Sequence, residues 1–271
     1  MKILVLENPV RPLTPKDQRD FTKLLRGHVI TRQVLPKHRR PRRVVLDVQL
    51  IIVIGGDGSV LAAAHLSRGR GIPILGFNTG HVGFLTGLTL ANFRQELPHV
   101  LAGRSMVEDR LALRVELPNG KNGWALNDVG FQSIDRDLFS AEFTLNGRKV
   151  SDFKGDGLIV STGTGSTAYN LSLGGPLLAP DSQMLAITPK APLTLTNRSL
   201  VVNEPKVLGF RITGGRTRVE CDSIPSGIVR HGDLVYVHRS PVTVPVVFPS
   251  DHNHYVAVGE KLRWNENLIT R

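Results

Sequence analysis

Residues 50–54, Leu-Ile-Ile-Val-Ile, run straight into Gly55-Gly56-Asp57-Gly58-Ser59, and an alanine- and leucine-rich stretch follows over 59–68. No other feature constrains the fold as much. A five-residue apolar run suits a parallel strand covered on both faces. A glycine turn then opens a helix. Glycines let the backbone come close to a phosphate, and the N–H groups of the turn and helix start point outward as donors. An acid does not serve that purpose, because a carboxylate repels an anion. Asp57 makes sense if it holds a cation or takes a proton from an attacking hydroxyl. A cap on the helix beginning near Ser59 is the plainer alternative. The turn lacks the GK[ST] ending of a Walker loop and the GxGxxG spacing of a dinucleotide fingerprint.

The alternation extends on both sides. "KILVL" (2–6) predicts a strand, and residues 15–27 a helix with Phe21, Leu24 and Leu25 on one apolar face. "IPILGF" (72–77) predicts a strand leading into a second glycine turn, "NTGHVGFLTGL". "LANFRQELPHVLAG" predicts a helix closed by Gly103. Alternating strands and helices argue a parallel α/β layer. Near residue 104 the texture changes to short strand-like runs separated by Pro, Gly and Asn, such as "WALNDVGFQ", "GLIVST" and "LAITPKAP". "LNGRK" (145–149) is a hairpin signal. The expectation is an α/β N-terminal domain over 1–103 and a β-rich C-terminal domain over 104–247. The tail, 248–271, either finishes the β domain or folds back on the first.

Thirty-four Lys and Arg against 23 Asp and Glu give a net charge of +11. Such a chain attracts polyanions: nucleic acid, nucleotides, polyphosphate or an anionic membrane. About half of the excess lies in "PKHRRPRRVV", in Lys37, Arg39, Arg40, Arg42 and Arg43. That stretch reads as a solvated loop or as a phosphate-attracting flap. The single cysteine, Cys221, permits no disulfide framework within one chain and fits a reducing compartment. It reads as a buried small side chain. The N-terminal "MKILVLENPV" is too short for a signal peptide, and no apolar run approaches the roughly 18 residues of a membrane span. A cytoplasmic, soluble protein is expected.

Two further patches carry chemistry. "GDGLIVSTGTGSTAYNLSLGGP" packs Gly163, Gly165, Ser166 and Thr167 into one loop, with Tyr169 just beyond and Lys154 and Asp156 at or near its start. Small residues and hydroxyls suit close approach to a nucleotide, and Tyr169 can stack on a base or donate a hydrogen bond. An ordinary turn with Tyr169 in the core is the alternative. Asn127-Asp128 sets two polar residues inside a strand-like run, and buried polar groups need partners. Ribose hydroxyls or a purine amine would supply them, as would a bulge or an edge strand. His252 and His254 in "DHNH" are spaced like one face of a strand but read as a solvated loop.

Taken in order, "GGDGS", "FNTGHVGFLT", "LND", "DGLIVSTGTGSTAYNLSLGGP" and "ITPKAPLTLTNRSLVV" resemble the motifs of the NAD kinase family over roughly residues 50–202. GGDG alone is shared with phosphofructokinases and with diacylglycerol and sphingosine kinases. The long signature ending in Tyr169 and its followers is far more specific. The resemblance implies an NAD kinase-like two-domain architecture whose tail packs back on the first domain. It implies phosphoryl transfer from ATP or polyphosphate to the 2′-hydroxyl of the adenosine ribose of NAD, giving NADP. Asp57 is then the candidate base, and Gly55, Gly56 and Gly58 form the phosphate loop. Asn127 and Asp128 would hold NAD. Lys154, Asp156, Thr167, Ala168, Tyr169, Asn170, Leu171 and Ser172 would line the dinucleotide site. The cation expected is Mg²⁺ or another divalent ion on the donor phosphates, with no metal-site cluster in the protein. A homodimer or homotetramer is implied, with no membrane or nucleic-acid partner. Three positions depart from the family pattern: Gly163 where Pro is frequent, Asp222-Ser223-Ile224 where Asp-Gly-Gln is usual, and Leu193 where His is common. Outside this resemblance, a lipid or sugar kinase sharing GGDG and a non-catalytic polyanion-binding module are the competing readings.

Overall fold

The computed structural model describes residues 1–10, 12–35, 47–80, 83–118, 120–135, 137–203 and 207–264. The basic stretch 37–43 lies outside the described residues, as do His81 and Val82 of the second glycine turn. The chain forms two units. One comprises Met1–Asp109 with the chain from Val244 onward, the other Arg110–Thr243.

The first unit is built on a largely parallel sheet. Its strands are β1 (Lys2–Glu7), β2 (Val29–Val34), β3 (Leu50–Ile54), β4 (Ile74–Asn78), β5 (Leu88–Thr89) and β6 (Met106–Arg110). Helices α1 (Pro15–Leu24), α2 (Asp57–Ser67) and α3 (Phe93–Leu101) connect them. Every residue of β3 and β4 is buried, because β3 lies between parallel β1 and β4 with side chains covered on both faces. Each such Ile, Leu or Val contributes about 1.5–3 kcal/mol relative to exposure. Phe77 packs between Phe21 and Phe93, with ring centroids 5.8 and 4.8 Å away, which fixes α1 and α3 against the sheet. Strand β2 was not expected from sequence. It is an edge strand whose residues are exposed or half-buried, so "VITRQV" carries little apolar signal.

The second unit is an extended antiparallel sheet curled toward a barrel. It contains β7 (Leu113–Glu116), β8 (Asn122–Ala125), β9 (Asp128–Ser133), β10 (Phe139–Leu145), β11 (Arg148–Ser161), β12 (Met184–Pro192), β13 (Leu200–Asn203), β14 (Leu208–Gly214), β15 (Thr217–Cys221), β16 (Ile224–Val229) and β17 (Leu234–Arg239). Between β11 and β12 stands the short helix α4 (Tyr169–Ser172). The β10–β11 hairpin turns on Asn146 and Gly147, both left-handed at φ 51° and 77°, as Asn-Gly predicts. Phe131, Phe139, Phe143 and Phe210 form its aromatic core. The curl brings β8 beside β15, so that a Cβ on Gly123 would stand 2.5 Å from Cys221 Sγ. Burial pushes the Cys221 thiol up to about 11, which leaves it an inert packing group.

The chain then returns to the first unit. Strand β18 (Val244–Phe248) joins its sheet beside β4, and helix α5 (His254–Lys261) follows. "YVAVGEKLRW" is therefore mainly helical. Asn253 caps it, its side chain accepting from the N–H groups of Tyr255 and Val256. The two histidines are not solvated as expected. His252 stacks on Phe248 at 4.0 Å, and His254 is buried at the start of α5.

Candidate active site

Two clusters carry the residues singled out above, one in each unit. In the first unit, β3 delivers the chain to Gly55, whose N–H donates to the carbonyl of Phe77 on β4. A Cβ on Gly55 would stand 2.5 Å from Ser59 Oγ, which itself accepts from Asn8 Nδ2 at 3.0 Å. Glycine is needed there for close approach. Helix α2 begins at Asp57, two residues before the expected start, with Gly56 as its N-cap and no side-chain capping bond. The cap reading of Asp57 is thereby overturned.

The Asp57 carboxylate reaches the second glycine turn instead. Oδ2 accepts from the N–H of Phe84 at 2.7 Å, and Oδ1 from the N–H of Leu85 at 3.0 Å. A Cβ added at Gly83 would overlap Asp57 Oδ1. The turn is braced from its other side by Thr86, whose Oγ1 accepts from Gly83 N–H and from Asn78 Nδ2. The two glycine turns therefore form one assembly, locked by Asp57. An ionised carboxylate offers about four lone-pair sites, so two remain for a substrate proton after the two backbone bonds.

In the second unit, "WALNDVGFQ" is not one strand. It breaks at Leu126-Asn127 into β8 and β9, because the chain leaves the β7 edge and turns in between β11 and β15. Three backbone N–H groups point out of that corner, from Leu126, Asn127 and Asp128. All three donate to the carboxylate of Asp222, at 2.8, 2.8 and 3.1 Å. Asp222 and Ser223 are left-handed, at φ 51° and 61°, which turns the Asp222 carboxylate into this nest. On the carbonyl side, Thr162 Oγ1 donates to Leu126 O at 2.7 Å, and the Thr162 N–H donates to Asn127 O at 2.9 Å. Asn127 is thus fixed from both sides, yet its own Oδ1 is buried with no hydrogen-bond partner. Its neighbour Asp128 is raised to about 7, first by burial, then by the charges of Asp222 and Glu220, with Lys190 opposing.

The loop after β11 is organised by its own hydroxyls and amide. Ser166 Oγ donates to Gly163 O at 2.7 Å and accepts from Leu178 N–H at 3.0 Å. Asn170 is fully buried, donating to Pro176 O and accepting from Thr188 Oγ1, so its side chain clamps the loop. Tyr169 is 45% exposed, and Lys190 stands 5.0 Å over its ring. Thr167, Ala168 and Leu171 are half-buried and Ser172 is exposed. Lys154 and Asp156 lie two apart on β11, both on its exposed face. Three residues that build this geometry were not singled out as site residues from sequence: Gly83, Thr162 and Asp222. Only Asp222 carried a signal, an acid just past a strand end at a family motif position.

The solved structures give the fold. The chain is similar to yeast NADH kinase complexed with NADH, with a TM-score of 0.81 and 20% identity, over 100% of this chain and 89% of that one. It is also similar to an NAD kinase from Archaeoglobus fulgidus in complex with ATP, with a TM-score of 0.78 and 24% identity, over 97% and 99%. The fold is thus the two-domain NAD kinase fold. The ATP-NAD kinase N-terminal domain matches residues 28–105, and the ATP-NAD kinase C-terminal domain matches 132–248. An NAD kinase of Nitrosospira multiformis is 39% identical over 224 residues, 80% of this chain and 76% of that protein. One of Pseudomonas putida is 36% identical over 248 residues, 87% and 84%. The chain belongs to the NAD kinase family.

Proposed function

We propose that the chain phosphorylates NAD at the 2′-hydroxyl of its adenosine ribose, with ATP or polyphosphate as donor. The observation that carries the reading is Asn127. Its amide oxygen is buried and unpartnered on a backbone held from both sides, which is the condition of a group completed by a ligand's hydroxyl or amine. Asp128 beside it, raised to about 7, either donates or accepts near neutral pH. Both suit a ribose or a purine edge.

In this reading the ribose oxygen attacks the terminal phosphorus, the bond to the bridging oxygen breaks, and the hydroxyl proton passes to Asp57. Asp57 is held for that task by Phe84 and Leu85. Gly55, Gly56 and Gly58 admit the donor phosphates. Asn127, Asp128, Lys154, Asp156, Thr167, Ala168, Tyr169, Leu171 and Ser172 serve NAD, and Asn170 holds the loop that carries several of them. Phosphoryl transfer asks the protein mainly for positioning and charge stabilisation.

Among the described residues no group of three or more His, Cys, Asp or Glu side chains could hold a metal ion. Both Asp57 oxygens already accept backbone N–H groups. These residues fit a divalent cation such as Mg²⁺ that enters on the donor polyphosphate, as part of the substrate. We further propose a homodimer or homotetramer in a reducing cytoplasm, the latter because the one thiol is free and buried. No helix among the described residues is long and apolar enough to cross a membrane. A donor panel of ATP, other nucleotides and polyphosphate, each with NAD and with NADH, tests the reading. NADP formation with at least one donor is expected, and no phosphorylated NAD or NADH with any donor contradicts it.

A further inference from the structure

Lys261 ends helix α5, and its ammonium nitrogen is buried without a hydrogen-bond partner. It lies 3.8 Å from the centroid of the Phe84 ring. Phe84 is also the residue whose N–H donates to Asp57 Oδ2. The ammonium therefore stands beside the assembly of the two glycine turns, and Asp57, close enough to act on it by charge, makes no hydrogen bond with it. Contact with an aromatic face offsets only part of the loss of water around a cation. Burial pushes Lys261 down to about 8, against the opposing pull of Asp57 and Glu260.

An ammonium is a compact point charge with three N–H donors, well matched to a phosphate oxygen. Phe84 belongs to the second glycine turn, which Asp57 ties to the proposed phosphate loop Gly55–Gly58, and an anion held there would supply the missing partner. We infer that Lys261 is a further substrate-contacting residue of this site, its ammonium pairing with a phosphate oxygen of the phosphoryl donor. The inference rests on the NAD kinase reading and adds a charged donor contact to it.

The substitution Lys261→Met keeps the stem and removes an unpaired buried charge, so the folded protein should melt no lower than the parent. With NAD saturating, KM for ATP should rise about 10- to 100-fold, the range of a charge-assisted hydrogen bond. NAD affinity by calorimetry should not change. The parent's kcat/KM for ATP should also fall above about pH 8, and that limb should be missing in the variant. The titratable groups around the ammonium are Asp57 on α2, Glu260 on α5 and His254, whose ring centroid lies 6.1 Å from that of Phe84. Lys261→Gln, which keeps a donor without the charge, should give an intermediate loss. An unchanged ATP KM overturns the inference. So does a joint loss of ATP and NAD binding with a lower melting temperature, since that marks a packing role. If the parent makes no NADP at all, titration with tripolyphosphate decides without turnover. Binding at least tenfold weaker in Lys261→Met sustains the anion contact, and equal binding overturns it.

Discussion

Gly83 and Asp57 are so close that a Cβ on the glycine would overlap Oδ1 of the acid. The glycine is thus part of the acid's binding pocket, and the two turns, 26 residues apart in sequence, are one structural assembly. Gly83→Ala should expel the Asp57 carboxylate and free the N–H groups of Phe84 and Leu85. Leaving a buried donor unpaired costs about 1–3 kcal/mol. A lower melting temperature and a loss of NADP formation of about 10²-fold or more are expected. Thermal melts and a steady-state assay check both, and a normal rate in the alanine variant contradicts the coupling.

Asp57→Asn separates two roles. The amide keeps one acceptor and turns a donor toward a backbone N–H, so stability should fall by about 1–3 kcal/mol. Loss of a general base lowers the rate by about 10²–10⁴-fold. The rate loss should persist at temperatures where the variant is fully folded by circular dichroism. Near-normal turnover there would leave Asp57 with the bracing role alone.

Asp222 accepts the three N–H groups of the Leu126–Asp128 corner, and in the proposed site it would act on NAD through Asn127 and Asp128. Asn at this position tolerates the left-handed backbone but loses the charge that the nest holds. Asp222→Asn should raise KM for NAD about tenfold, the effect of roughly one charge-assisted hydrogen bond, with KM for ATP unchanged. An equal rise in both would mark general loosening.

Asp128 makes stability depend on pH. In the folded protein it is raised to about 7, well above the ordinary aspartate value of about 4 that holds in the unfolded chain. The folded protein thus holds a proton that the unfolded chain has released. The contribution is fully present below about pH 4 and is lost as pH rises through 7. Asp128→Asn removes this dependence. Between about pH 4 and 7 the parent should lose melting temperature relative to the variant, by roughly 2–4 °C for each kcal/mol lost. Parallel pH profiles contradict the burial of a proton at Asp128.

Much of the fold is legible in the sequence, because its signals are local. The continuous run at 50–54, the Asn146-Gly147 turn and the closing Gly103 each act on their own neighbours, and each appears in place. Strand β2 could not be read, since an edge strand with half of its surface wet needs few apolar residues. The break at Leu126-Asn127 is set by Asp222, 95 residues beyond Asn127, and by Thr162. Helix α5 shows only an Asn cap and a weak apolar face, whose partners lie on other elements. The site divides in the same way. Asp57 and Asn127-Asp128 stand out as polar residues in apolar surroundings. Gly83 and Asp222 matter only through residues far away in sequence.

The central claim is tested most directly by incubating the purified chain with NAD, ATP and Mg²⁺ and assaying for NADP with an NADP-specific dehydrogenase. NADP should accumulate in step with ADP, and its added phosphate should sit on the adenosine 2′-oxygen by ³¹P and ¹H NMR. A folded chain that makes no NADP from ATP or from polyphosphate contradicts the account.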